Sequence, residues 1–171
     1  MHKYLLSIDL RSRRFKGVCV LLGMLGVSLL LSQCVRLKHS NEMIHCLALN
    51  VYHEGRGEPL DGRVAIATVT MNRVASEKFP NNVCQVVFER RYHQVNGFYV
   101  GQFSWTQDRI SNTPEEEDAW IDAINLSRNV YENGLINKEV KDALFYHATY
   151  VLPVWAKSMN KKVTIGQHIF Y

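Results

Sequence analysis

IHCLALNVYHEGRGEP, residues 44–59, is the stretch whose reading decides the fold. Ile44, Leu47, Ala48 and Val51 recur at three- and four-residue spacing, which marks one apolar face of a helix. The pattern runs into Tyr52-His53-Glu54 and stops near Gly55 and Gly57. Glu54 is therefore expected at a helix end, where a side chain can project into a cleft. A carboxyl group partly walled off from water has a raised pKa, so it keeps its proton toward neutral pH and can serve as an acid. Glu58, a turn further on, is expected to be more solvated, to stay charged and to pair with Arg56 or Arg63. The same two glutamates also read as ordinary surface or capping carboxylates, and the residues alone leave both readings open.

On the C-terminal side of this stretch, a second helix is expected from Gly62 with Asp61 as its N-cap, and Val64, Ala67, Thr68, Met71 and Val74 form its apolar face. Val83–Phe88 reads equally as a short helix or a strand. Residues 92–112 show no period and read as irregular. Thr113-Pro114-Glu115-Glu116 reads as a capping box opening a third helix, with Pro114 at its first position. Trp120, Ala123, Ile124, Ser127, Val130 and Tyr131 form that helix's buried stripe, and Asn133-Gly134 ends it. Ala143–His147, Thr164-Ile165 and His168–Tyr171 read as short strands, the last two separated by Gly166. Three helices with a little sheet make an α+β layout.

A length of 171 residues, 47% hydrophobic and 21% charged, is that of one globular domain and excludes a wholly disordered chain. The net charge of +4 is uneven. Residues 1–38 carry seven basic side chains against Asp9, so residues 39–171 are net −2. The body has no large positive field, and no nucleic-acid partner is expected.

Arg11, Arg13, Arg14 and Lys16 precede Gly17–Val35, 19 residues without a charge. A basic flank before an apolar core is an export signal pattern, and the stretch is long enough to cross a bilayer. Residues 1–38 are thus expected to be a signal peptide or membrane anchor with a polar joint at Lys38–Glu42, and residues 39–171 the catalytic body. Cleavage, retention as an anchor and lipidation at Cys34 are the three outcomes, and each places the body outside the cytoplasmic membrane. Of the cysteines outside the leader, Cys46 and Cys84 form the candidate disulfide of an oxidising compartment; two separate buried thiols are the alternative.

Other chemistries find less support. His53-Glu54 lacks the second histidine of a HExxH zinc site, although a dispersed site from His53, His93 and His147 is conceivable. No GxSxG elbow or phosphate-binding glycine loop occurs. Gln102, Ser104, Trp105, Asp108 and Arg109 form a cluster that combines an aromatic platform with amide and carboxylate groups, a combination that suits sugar rings. Tyr146, His147 and Trp155 form a further set of that kind, and both sets also read as ordinary core.

Seven segments in order complete the reading: CLALNVYHEGRGEP at 46–59, DGRVAIATVTMNRV at 61–74, FPNNVCQVVF at 79–88, GQFSWTQD at 101–108, DALFYHA at 142–148, PVWA at 153–156 and TIGQHIFY at 164–171. Together they resemble the SleB-like cell wall hydrolase family, whose named member is the spore cortex-lytic enzyme. The resemblance covers about residues 43–171. It implies a lysozyme-like helical domain with a small antiparallel sheet, acting on peptidoglycan glycan strands without a cofactor. It places the catalytic acid at Glu54 and a supporting carboxylate at Glu58. Substrate-binding roles are expected of Arg56, Gln102, Ser104, Trp105, Asp108, Tyr146, His147 and Trp155, and no metal site is expected. The expected activity is cleavage between N-acetylmuramic acid and N-acetylglucosamine as a lytic transglycosylase, in the periplasm or cell envelope. A zinc-dependent N-acetylmuramoyl-L-alanine amidase and a non-catalytic wall-binding module are the alternatives. Two departures stand out. Gly55 replaces the family's usual alanine, which is expected to loosen the helix end. Gly101 and Gln107 stand where many Gram-negative members have a pair of cysteines, so the loop near Trp105 is expected to be more mobile.

Overall fold

In the computed structural model, residues 2–94, 97–107 and 112–171 are described, apart from the side chains of residues 2–27 and 93. Four α-helices are present: α1 (His2–Glu54), α2 (Leu60–Ala75), α3 (Val83–Val87) and α4 (Glu117–Asn133). Five short strands accompany them: β1 (Arg90–His93), β2 (Phe98–Gly101), β3 (Tyr146–Ala148), β4 (Val163–Ile165) and β5 (His168–Phe170). The chain divides into two units, Met1–Ser40 and Asn41–Tyr171.

Helix α1 runs through Lys38–Glu42, where a polar joint was expected. Residues 36–54 hold neither glycine nor proline, so nothing in that segment breaks the backbone ladder. Among the described residues, no helix is long and apolar enough to cross a membrane. The apolar core expected of the leader falls largely on residues whose side chains lie outside the description.

Helix α2 is the axis of the second unit. Val64 and Ala67 join Leu47, Ala48 and Val51 of α1 and Ala123, Leu126 and Val130 of α4 in one apolar cluster. Ala65, Ile66 and Val69, on its other side, pack against Val140, Ala143 and Phe170 in a second cluster. A helix with apolar groups around most of its girth has neighbours on both sides. Here they are helices on one side and a sheet on the other. The sheet has the order β3-β5-β4, antiparallel throughout, with Tyr146 opposite Phe170 and Val163 opposite Phe170. The architecture is α+β, a helical part with small antiparallel sheets.

Several boundaries differ from expectation. Helix α2 begins at Leu60 rather than Gly62, which puts Asp61 in the first turn instead of at the cap. Val83–Val87 is helical because the Asn82 side chain accepts from the Gln85 N–H, a standard N-cap. Strands β1 and β2 pair antiparallel, with Tyr92 opposite Tyr99, inside a stretch expected to be irregular from residue 92 on. Helix α4 starts at Glu117, later than the expected capping box. The N–H groups of Glu115 and Glu116 instead donate to the Tyr52 hydroxyl, both at 3.2 Å, and the Glu116 carboxylate pairs with Arg56. These partners hold residues 115 and 116 against α1, outside the helix. Gly134 ends α4 in the left-handed conformation, φ 68°, as Asn133-Gly134 suggests.

Candidate active site

Glu54 is the last residue of α1. The Gly55 N–H still donates to the Val51 carbonyl at 2.9 Å, and then Gly57, at φ 78°, turns the chain toward α2. One helical turn before Glu54, Asn50 is fully buried on the same face. Its side-chain N–H donates to Thr70 Oγ1 of α2 at 3.1 Å, and its carbonyl oxygen accepts the Trp105 indole N–H at 3.2 Å. This bridge joins α1, α2 and the short helical turn Ser104–Thr106 beneath the site.

Glu54 lines a cleft of about 570 Å³ together with His53, Arg56, Gln102, Ser104, Tyr146, His147, Tyr150 and Val151. The Tyr146 hydroxyl donates to Glu54 Oε2 at 3.2 Å. Burial raises the Glu54 carboxyl above its usual range; the Tyr146 hydrogen bond and the Arg73 charge pull it back only in part. Burial also raises the Tyr146 hydroxyl far above its ordinary value, so it stays a donor. Arg73 is a buried cation on α2 that also lines the cleft. Its Nε donates to the Leu144 carbonyl at 2.8 Å, and its guanidinium lies 5.1 Å from the Phe103 ring centre and 5.2 Å from that of Phe79. Desolvation lowers its pKa, with Tyr146, Glu89 and Glu54 opposing.

Glu58 does not sit in the solvated, Arg-paired setting expected of it. Its side chain is buried, and both oxygens accept the Gln167 N–H at 3.1 Å. His168 Nδ1 approaches Oε1 at 3.3 Å, an ion-pair contact when the ring is protonated and one whose angle falls short of a hydrogen bond. Desolvation lowers the His168 pKa although Glu58 favours the charged ring. Gly166, at φ 55° in the β4–β5 turn, lies so close that a Cβ there would collide with Glu58 Oε2. A Cβ on Gly62 would come within 2.8 Å of the same oxygen. Arg56 meanwhile pairs with Glu116, and Arg63 lies 3.8 Å from Asp122.

Of the other residues read from the sequence, Arg56, Gln102, Ser104, Tyr146 and His147 line the cleft with Glu54. Trp105 does not: it is buried against His53, ring centres 4.5 Å apart and nearly parallel, and supports the site from beneath. Trp155 packs edge-on to His147 at 5.6 Å and to Tyr171 at 5.5 Å, so it braces the wall rather than forming it. Asp108 and Arg109 lie outside the described residues. Sequence reading did not single out Arg73, Asn50 or Gln167. Arg73 carried a signal, because it falls on the buried stripe of α2 after Ile66 and Val69. Among the described residues, no group of three or more His, Cys, Asp or Glu is arranged to hold a metal ion. The His93 side chain lies outside that description.

The model of the family described as Cell Wall Hydrolase matches residues 57–171, more than half of the chain. This chain belongs to the cell wall hydrolase family. The spore cortex-lytic enzyme of Bacillus subtilis is 38% identical over 136 residues, covering 77% of this chain and 38% of that protein. That of Bacillus cereus is 36% identical over 138 residues, covering 77% of this chain and 45% of that protein. The chain thus spans less than half the length of these relatives. The solved catalytic domain of the germination-specific lytic transglycosylase SleB from Bacillus anthracis is 34% identical, with a TM-score of 0.50, covering 75% of this chain and 92% of that domain.

As a member of the cell wall hydrolase family, the chain departs from the expected pattern at positions whose surroundings are now visible. A methyl at Gly55 would stand 2.6 Å from the Val51 carbonyl and 3.0 Å from Arg63 Cγ. The glycine therefore brings α2 close against the end of α1. Gly101 and Gln107 are neighbours: the Gln107 amide donates to the Gly101 carbonyl at 3.4 Å, and a Cβ at 101 would lie 3.2 Å from Gln107 Cγ. Cys46 and Cys84 form a disulfide that ties α1 to α3.

Proposed function

We propose that the Asn41–Tyr171 unit cleaves the peptidoglycan bond between N-acetylmuramic acid and N-acetylglucosamine as a lytic transglycosylase, with Glu54 acting first as acid and then as base. The observation that carries this reading is the state of the two glutamates. Glu54 faces the cleft, hydrogen-bonded by Tyr146 and held toward its protonated form by burial. Glu58, the other carboxylate among the described cleft residues, has both oxygens engaged by the β4–β5 turn. A glycosidase with two working carboxylates needs the second free to attack or to activate water. One mobile proton on one carboxyl suits internal attack instead.

The chemistry balances without water. Glu54 donates its proton to the glycosidic oxygen as the bond to muramyl C1 breaks, and N-acetylglucosamine leaves with a new hydroxyl. The Glu54 carboxylate then takes the proton of the muramyl C6 hydroxyl, whose oxygen bonds to C1 and closes a 1,6-anhydro ring. Tyr146 and Arg73 favour the charged form of Glu54 between the two steps. The basic, apolar leader supports export to the cell envelope, where glycan strands are the partner and the leader is cleaved or holds the chain at the membrane.

Digestion of sacculi in ¹⁸O-labelled water tests the product. Transglycosylation leaves the new muramyl ends unlabelled, whereas label at C1 shows hydrolysis and returns Glu58 to consideration as a base. Release of stem peptides from intact strands, lost on chelation and restored by zinc, replaces this reading with the amidase alternative.

A further inference from the structure

The residues that line the cleft differ in chemistry. His53, Arg56, Gln102 and Ser104 offer hydrogen bonds, as a sugar ring requires. Tyr150 and Val151 line the same cavity and begin the run Tyr150-Val151-Leu152-Pro153-Val154. Tyr150 is 82% exposed, Val151 49%, Leu152 72% and Val154 84%. Scattered surface apolar groups are ordinary, but an unbroken run beside a cleft marks a contact surface. From Ala143 to Tyr171 the chain carries Lys157, Lys161 and Lys162, all exposed, and neither Asp nor Glu. Apolar tips on a segment of positive charge fit a ligand that combines methyl groups with carboxylates. Sugar hydroxyls gain nothing from valine and leucine.

On the muramyl residue, that ligand is the stem peptide, attached through a lactyl group and bearing alanine methyls and free carboxylates. We infer that the Tyr150–Val154 rim is the subsite for the stem peptide, and that the chain cuts peptide-bearing strands in preference to bare ones. This rests on the glycan-cleaving reading above. Tyr150 and Val151 line the same cleft as Glu54, so a muramyl ring bound at Glu54 shares that cleft with the start of the apolar rim.

The test compares the full chain on two soluble glycan preparations, one with stem peptides and one stripped of them by an amidase, alongside a Leu152→Ser/Val154→Ser double variant. Both side chains are largely solvated, so the variant should melt with the wild type. The wild type should cut peptide-bearing strands about tenfold faster, the scale of a few well-placed apolar contacts, and the variant should narrow that ratio several-fold. Equal wild-type rates on the two substrates, or a ratio that the variant leaves unmoved, would overturn the inference. An unmoved ratio with loss of binding to anionic phospholipid vesicles would overturn it by making a membrane surface the occupant. If the wild type cuts neither preparation, the glycan-cleaving reading itself fails.

Discussion

Glu54 is the residue on which the account turns, and its environment makes two expectations that can be measured separately. Burial holds its folded pKa above the usual glutamate value, so between the two the native protein keeps a proton that the unfolded chain has released. Stability then falls as pH rises through that window. Glu54→Gln should therefore melt higher than the wild type at about pH 8, and the gap should close toward about pH 4. Its activity should fall by about 10²–10⁴-fold, the usual contribution of a positioned acid or base. Tyr146→Phe removes a hydrogen bond that favours the charged form of Glu54. The alkaline limb of the rate profile, where Glu54 loses its proton, should move to higher pH in that variant. A profile that drops in amplitude without moving would show that Tyr146 does not act through Glu54. At this scale the sequence showed a good deal: the apolar periodicity placed Glu54 at a helix end, as observed. It misjudged Glu58, whose burial comes from the β4–β5 turn far along the chain, whereas for Trp105 the ordinary-core reading is the one observed.

Among the elements, the β4–β5 turn depends on Glu58. Glu58→Ala leaves the Gln167 N–H and His168 facing a void in place of a carboxylate. The loss should be about 1.5–3 kcal/mol, typical of hydrogen bonds to a charged group, and denaturant unfolding can read it. An unchanged midpoint would show that the turn does not need the clamp. The disulfide spans 38 residues of sequence, and a loop of that length stabilises a fold by about 4 kcal/mol through the unfolded chain. A Cys46→Ala/Cys84→Ala variant should lose stability of that order while keeping the cleft residues in place, so cleavage below its melting temperature should persist. Element type was readable where periodicity was strong, as in α2 and α4. The β1–β2 hairpin was missed although Asn96-Gly97, a strong hairpin dipeptide, stands between its strands. The start of α4 was misplaced because the Tyr52 hydroxyl, 63 residues away in sequence, takes the N–H of Glu115.

For the whole molecule, the plan follows from α2, which is apolar on two sides and so joins a helical cluster to a sheet. Sequence reading found the end of α1, α2, α4 and the C-terminal strands, and left α3 open between helix and strand. It had no means of seeing that Arg73, on the same helix as the two apolar faces, would line the cleft among phenylalanine rings. That arrangement exists only once residues 79, 103 and 145 converge. Of the two carboxylates among the described cleft residues, Glu58 has both oxygens engaged by the β4–β5 turn, and the proposal is that Glu54 alone suffices to cut a glycan strand. Mass-spectrometric analysis of purified sacculi digested by the full chain, with Glu54→Gln in parallel, tests it most directly. The account predicts 1,6-anhydromuramyl ends from the wild type and none from the variant. Anhydromuramyl ends from both, or stem peptides freed from intact strands, would contradict it.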